Sequence, residues 1–169
     1  MGTASVILTP VMMDIAIGPA RVGEAQQILK LQYLCYQSEA TIYDDWAIPP
    51  LTQTLWQLLE EYDAGEVLVA RVDEEVVGSV RGRLEGATCQ VRRLVVHPHL
   101  QGRGIGTRLM TAIEERFVEA ERYELFTGQL SEGNLRLYRR LGYREFREEE
   151  LSPHLRLTYL EKPGGRPAR

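Results

Sequence analysis

The strongest chemical signal in the chain is the run Gln101-Gly102-Arg103-Gly104-Ile105-Gly106. It follows the apolar stretch Leu94-Val95-Val96 and leads into an amphipathic segment that starts at Thr107. A strand, a glycine-rich turn and a helix N-terminus in that order form an anion site. Glycine lets the backbone approach a ligand closely and turn its N–H groups toward it. The first helical turn adds unpaired N–H donors and the positive end of the helix dipole. Phosphate and pyrophosphate are the groups that such a place binds. Spacing sorts the known phosphate loops. A Walker loop needs a lysine after its last glycine, and none follows here. The dinucleotide fingerprint Gly-x-Gly-x-x-Gly also fails, because reading from Gly102 puts Thr107 where the third glycine belongs. What remains is Gln-x-x-Gly-x-Gly, which taken alone also fits a tight turn that only packs a helix against a sheet.

A second segment reads Ser131-Glu132-Gly133-Asn134-Leu135-Arg136-Leu137-Tyr138-Arg139-Arg140-Leu141-Gly142-Tyr143. It describes a short helix that carries a tyrosine and stops at Gly142, a residue suited to the left-handed position at a helix C-terminus. Combined with Leu94-x-Val96-x-Pro98 and Gln101-x-x-Gly104-x-Gly106, it resembles the GNAT acetyltransferase superfamily over residues 94–143. The resemblance implies acetyl-coenzyme A as cofactor. It implies that the turn opened by Gln101 holds the pyrophosphate on backbone N–H groups of Gly102, Arg103, Gly104, Ile105, Gly106 and Thr107. It further implies that the edge of Leu94, Val95 and Val96 pairs with the pantetheine arm as an added strand. Two parallel strands, one ending at Val96 and the other spanning residues 123–127, would part to admit that arm. An N–H near Val96 would then face the thioester oxygen as an oxyanion donor. Many relatives carry a coenzyme-contacting asparagine seven residues before the tyrosine. Here that position is Ser131, and Asn134 offers an alternative polar contact.

Tyr138 is the candidate general acid. A phenol with a pKa near ~10 stays protonated at neutral pH and can protonate a departing thiolate, whose thiol has a pKa of about 8.5. The alternative is a packed aromatic with a satisfied hydroxyl. The general base has no clear owner. Relatives often place a glutamate where this chain has Gln90, and Glu85 is five residues away. Glu39, Asp44, Asp45 or a chain of water molecules are the other options. Cys35 and Cys89 stand alone in segments that read as core, so direct transfer without an acyl-enzyme is expected. His97-Pro98-His99 has no third ligand in view, so no metal is expected. Arg92-Arg93 and Arg139-Arg140 read as solvated faces, with Arg103, Arg139 or Arg140 free to reach phosphates.

The acceptor wall is expected in residues 33–46, an aromatic and acidic stretch, with Tyr33, Tyr36, Glu39 and Tyr43 as binding candidates. Aromatic faces and carboxylates attract cations, which suits an amine on a small molecule, an amino-acid derivative or a peptide N-terminus. The same aromatics would equally serve to pack helices on a sheet. Three functions stay open: an N-acetyltransferase, a non-catalytic acetyl-coenzyme A sensor, and an interaction module on the same fold.

The elements that must position these groups follow from apolar periodicity. Strands are expected at residues 14–17, 66–72, 76–84, 88–96 and 123–127, with a closing pair at 143–148 and 156–160. Helices are expected at residues 19–40, from an N-cap at Thr52 to about residue 62, and at residues 107–121, followed by the tyrosine helix. That order predicts an α/β (α+β) domain with a mixed, mostly antiparallel central sheet flanked by helices. The chain has 169 residues and a net charge of −4. The length suits one domain, expected over residues 13–162, with an extension at 1–12 and a disordered glycine- and proline-rich tail at 163–169. The mild negative charge gives no case for nucleic acid or an anionic membrane as partner. Two isolated cysteines and the absence of a long apolar run lead to an expectation of a cytoplasmic protein without disulfides. Relatives often form homodimers, but no segment identifies such an interface.

Overall fold

The computed structural model describes residues 14–166, so the extension expected at 1–12 lies outside the described residues. Seven strands form one sheet: β1 (Ile15–Pro19), β2 (Glu66–Val72), β3 (Glu75–Glu85), β4 (Thr88–Val96), β5 (Arg122–Gly128), β6 (Arg144–Ser152) and β7 (Leu155–Pro163). Their spatial order is β1-β2-β3-β4-β5-β7-β6, and every neighbouring pair is antiparallel except β4 with β5. Five α-helices connect and cover them: α1 (Ala25–Tyr43), α2 (Pro49–Thr52), α3 (Leu55–Ala64), α4 (Ile105–Arg116) and α5 (Glu132–Arg140). The mixed, mostly antiparallel sheet expected from the sequence is the one observed.

The β4–β5 junction has a short seam. Only Thr88, Cys89 and Gln90 pair, with Arg122, Tyr123 and Glu124. Beyond Gln90 the two strands diverge, although β4 continues to Val96 and β5 to Gly128. The sheet therefore consists of two half-sheets, β1 to β4 and β5-β7-β6. On one face, α4 and α5 bury Leu109, Met110, Ile113, Leu135 and Tyr138 among strand residues such as Val80, Val91 and Leu125. On the other face, α1 and α3 bury Ile28, Leu31 and Leu58 against Val67, Val69 and Val95. The far end of α1 reaches the second half-sheet, where Ala40 and Tyr43 meet Leu155 and Leu157. Thus α1 bridges the seam.

Several boundaries differ from the periodicity reading, each for a local reason. Helix α1 starts at Ala25 rather than at residue 19. Pro19 still belongs to β1, and Glu24 is held over the sheet edge by Arg71, whose Nε and Nη2 donate to both carboxylate oxygens at 2.6 Å. It runs on to Tyr43 because Asp44 accepts the left-handed cap at φ 49°. The N-cap of α3 is Thr54, not Thr52. Thr54 Oγ1 accepts from Gln57 N–H, and Gln57 Oε1 accepts from Thr54 N–H, which is a capping box. Helix α4 stops at Arg116, short of residue 121, where Phe117 leaves helical geometry to enter the core. The tail expected from Pro163 onward remains paired through residue 166. Pro163 closes β7, and the N–H groups of Gly164 and Arg166 bond Glu121 and Ala120. No helix among the described residues is long and apolar enough to cross a membrane.

Candidate active site

The divergence of β4 and β5 opens a cavity of about 190 Å³. Its walls come from both faces of the sheet. Tyr36, Glu39 and Tyr43 of α1 line one side, Asn134 and Tyr138 of α5 the other, and Leu94, Leu125 and Thr127 flank the gap. At the end of β4, His97 donates its N–H to Val77 O at 2.8 Å. Backbone groups alternate in direction along an antiparallel strand. The amides of Leu94 and Val96 therefore face away from β3, toward the gap. Val95 turns its buried side chain into the α1-side core.

Beyond Val96 the chain makes the glycine turn. Gly102 and Gly104 take φ values of 78° and 81°, a left-handed geometry that favours glycine. Gly104 is the N-cap of α4 and supplies no side-chain cap. The first intrahelical bond is from Arg108 N–H to Gly104 O. The preceding amides, up to Thr107, have no helical carbonyl to bond. Gln101, Gly102, Arg103, Gly104 and Thr107 are exposed, whereas Ile105 is buried as the anchor of the turn. Gly106 sits beside Leu137, Val96 and Leu94, close to the tip of β4 and to α5. An uncapped helix start beside a split strand pair fits a pyrophosphate with an extended arm.

Tyr138 is buried at 6% exposure and presents its side chain to the cavity. Burial is the first cause that pushes its phenol well above the ordinary range, followed by the neighbouring Tyr36 and Glu39. Glu39 is also raised, by burial, partly offset by a hydrogen bond that Ser131 Oγ donates to its carboxylate at 2.6 Å. Ser131, the N-cap of α5, also meets Tyr43 Oη at 2.9 Å, and Tyr43 Oη accepts from Leu130 N–H at 2.8 Å. With its side chain taken up by α1, Ser131 leaves the polar position in the cavity to Asn134, whose Nδ2 donates to Thr127 Oγ1 at 3.3 Å.

Other candidates lie elsewhere. Tyr33 is not part of the cavity wall; its hydroxyl donates to Gln53 O at 2.5 Å and ties α1 to the segment after α2. Asp45 caps a turn by accepting from Ala47 N–H, and Glu85 pairs with Arg83 in solvent. Gln90 accepts from Arg92 and donates to Glu124 Oε2 at 3.3 Å, so it is part of a strand-face network. Cys35 Sγ donates to Val96 O at 3.3 Å, and burial pushes its thiol up to about 11. Burial likewise pushes Cys89 up to about 12. Neither thiol supplies an appreciable thiolate at neutral pH. Arg139 is engaged by Glu145. His97 and His99 stack on each other, and His97 Nδ1 accepts from His99 N–H at 3.2 Å.

Arg92 and Arg93 are half-buried, not a solvated face. They line a second cavity of about 240 Å³ under α3, together with Arg81, Glu61, Gln90 and Phe126. Both cavities share Arg92, Arg93 and Phe126. Sequence reading missed this cluster because Arg81 lies on a different strand from the pair. The available signal was two consecutive arginines inside a strand, where strict alternation would send one of them into the core.

The Acetyltransferase (GNAT) family profile matches residues 25–143, which include the cavity under α3, most of the lining of the gap, the glycine turn and α5. Among solved structures, the chain is similar to the PaiA N-acetyltransferase of Thermoplasma acidophilum, in complex with coenzyme A. The TM-score is 0.74 at 16% identity, over 89% of this chain and 99% of that one. It is similar to the ribosomal-protein-S18-alanine N-acetyltransferase of Escherichia coli, with a TM-score of 0.75 at 10% identity over 92% and 97% of the two chains. A third likeness is to YncA of Salmonella typhimurium, solved with its cofactor acetyl-CoA, with a TM-score of 0.69 at 20% identity over 88% and 93%. At these identities the structural likenesses speak for the fold.

Proposed function

Because this chain belongs to the Acetyltransferase (GNAT) family of acetyl-coenzyme A-dependent acyltransferases, we propose that it moves the acetyl group onto a primary amine of a small molecule or peptide by direct attack in a ternary complex. The observation that carries this reading is the parting of β4 from β5 after Gln90 and Glu124. It leaves an unpaired strand edge beside an uncapped helix start, with a buried tyrosine across the gap.

Bound acetyl-coenzyme A would supply an activated thioester. The amides from Gly102 to Thr107 would hold its pyrophosphate, and Leu94 and Val96 would hold its arm as a strand edge holds an added strand. The Val96 amide would be the donor to the thioester oxygen, where one such donor is worth ~2.7–4 kcal/mol. Asn134 adds a polar contact from α5. Tyr138 donates toward the departing sulfur. Burial makes a tyrosinate costly at this position, so the phenol would keep its proton until the sulfur draws on it and would regain one from the second proton that the nitrogen loses, the first passing from the ammonium to the base. Glu39 is the base this geometry favours, because among the described residues it is the one carboxylate lining the cavity, and its raised pKa makes it a stronger proton acceptor once ionised.

Two measurements test the reading. Acetyl-coenzyme A at 100 times its dissociation constant should add ~2.7 kcal/mol of stability, visible as a thermal shift that NAD and ATP do not give. Free-thiol release with an amine panel should follow, while intact-mass spectra show no acetylated cysteine. The absence of a coenzyme-specific shift would overturn the reading, and an acetyl adduct on Cys35 or Cys89 would overturn direct transfer.

A further inference from the structure

The second cavity is built around positive charge. Arg81 on β3 and Arg92 on β4 are direct cross-strand partners. Like charges in that position repel. The register then slips: Ser79 pairs with Val95, so Val80 alone on β3 stands opposite Arg93 and Leu94 on β4. The extra residue makes a β-bulge, with Arg93 at φ 56°. Gln90 and Arg92 lie on the α3 side of the sheet before the bulge, and Val95 lies on that same side after it. The bulge therefore lets Arg92 and Arg93, though adjacent in sequence, line the same cavity. An arginine in the left-handed region is uncommon and marks a position held by its surroundings.

The nearby carboxylates neutralise this cluster only in part. Glu61 is taken by Arg81 at 2.5 Å, and Glu124 by Arg122 at 3.0 Å. Among the described residues, neither Arg92 nor Arg93 has a carboxylate in ion-pair contact. Arg92 instead donates to the carbonyls of Val91 and Glu124 and to Gln90, with its guanidinium 4.5 Å from the Phe126 ring centroid. Arg81 is only 5% exposed, and its Nε has no hydrogen-bond partner; the same holds for the buried Nε of Arg93. Two buried guanidinium donors are thus left unmet beside a cavity.

We propose that the acceptor amine also carries a carboxylate, which Arg92 and Arg93, backed by Arg81, bind in the cavity under α3 while the amine reaches the gap between β4 and β5. Guanidinium suits this task, since its planar fork matches a carboxylate with two parallel hydrogen bonds. Arg92, Arg93 and Phe126 line both cavities, so the anion site lies directly beside the gap. The identification of the ligand as an acceptor rests on the acetyl-transfer reading; the anion site itself rests on the arginines.

The test uses matched pairs. Glycine, β-alanine, 4-aminobutanoate, 6-aminohexanoate and a set of L-amino acids are each compared with the corresponding amide. Free-thiol release gives kcat/KM, and titration calorimetry with the N-acetylated members gives binding without turnover. At the fitting length the carboxylate should exceed its amide at least tenfold in both readouts. Arg93→Asn suits the left-handed backbone, so it removes the charge without straining the bulge. It should cut kcat/KM for the carboxylate at least tenfold more than kcat/KM for the matched amide, so that the ratio of the two collapses toward one. Thiol release without discrimination, or discrimination that survives Arg93→Asn, overturns the anion site. Discrimination in titration with no thiol release from any amine upholds the site and counts instead against acetyl transfer.

Discussion

At Tyr138, burial serves the proposed chemistry. A phenol held above its ordinary range by its apolar surroundings is a fixed proton donor over the whole physiological pH span. Tyr138→Phe keeps the ring contact with Tyr143 and removes only the hydroxyl. It should lower kcat by about 10²-fold or more, the usual scale for a positioned acid, with coenzyme affinity unchanged by thermal titration. As the proposed base, Glu39 has the opposite requirement, since a base accepts a proton only when ionised. Burial raises its pKa, so the acid limb of the kcat/KM profile should lie above the usual carboxylate range, and Glu39→Gln should abolish that limb. The stability effect has a definite sign. A carboxyl raised in the folded state contributes its full stability below its unfolded pKa and loses it as pH rises through the folded value. Glu39→Gln, which still accepts from Ser131, should therefore match the parent in melting temperature at pH 4 and exceed it at pH 8.

Among the elements, the short-range ones were largely legible from the sequence. The glycine turn and the tyrosine helix are dictated by residues within a few positions of each other, and both form where the spacing indicates. Helix ends were less legible, because Thr52 and Thr54 offer the same hydroxyl and only the reciprocal partner Gln57 decides between them. Thr54→Ala should lower the unfolding free energy by about 1 kcal/mol in denaturant titration, whereas Thr52→Ala should be nearly neutral. Least legible was the bulge in β4. Alternation along one strand says where side chains point only while the register holds, and the slip between Ser79 and Arg81 is set by the partner strand. The arginine cavity therefore depends on pairing that no local window contains. Tyr33 went astray in the same way: its hydroxyl partner is the carbonyl of Gln53, on a different element.

At the scale of the molecule, α1 ties together what the sheet leaves apart. Tyr43 at its C-terminal end bonds both Ser131 Oγ and Leu130 N–H, on the far side of the gap. Gly128 is a glycine for the same reason, since a Cβ there would lie 2.1 Å from the Tyr43 hydroxyl. Tyr43→Phe strips both bonds from a buried position, and leaving such groups unmet costs about 1–3 kcal/mol. The loss should appear in equilibrium denaturation, and coenzyme affinity should fall with it as the two walls of the gap lose their shared support. The three-pair seam also has a mechanical side. Tension applied between β3 and β7 would load Thr88, Cys89 and Gln90 and the Tyr43 contacts before any long ladder elsewhere. A crack in this molecule would start where its chemistry is proposed to take place, and a cofactor laid along that line would act as a weld.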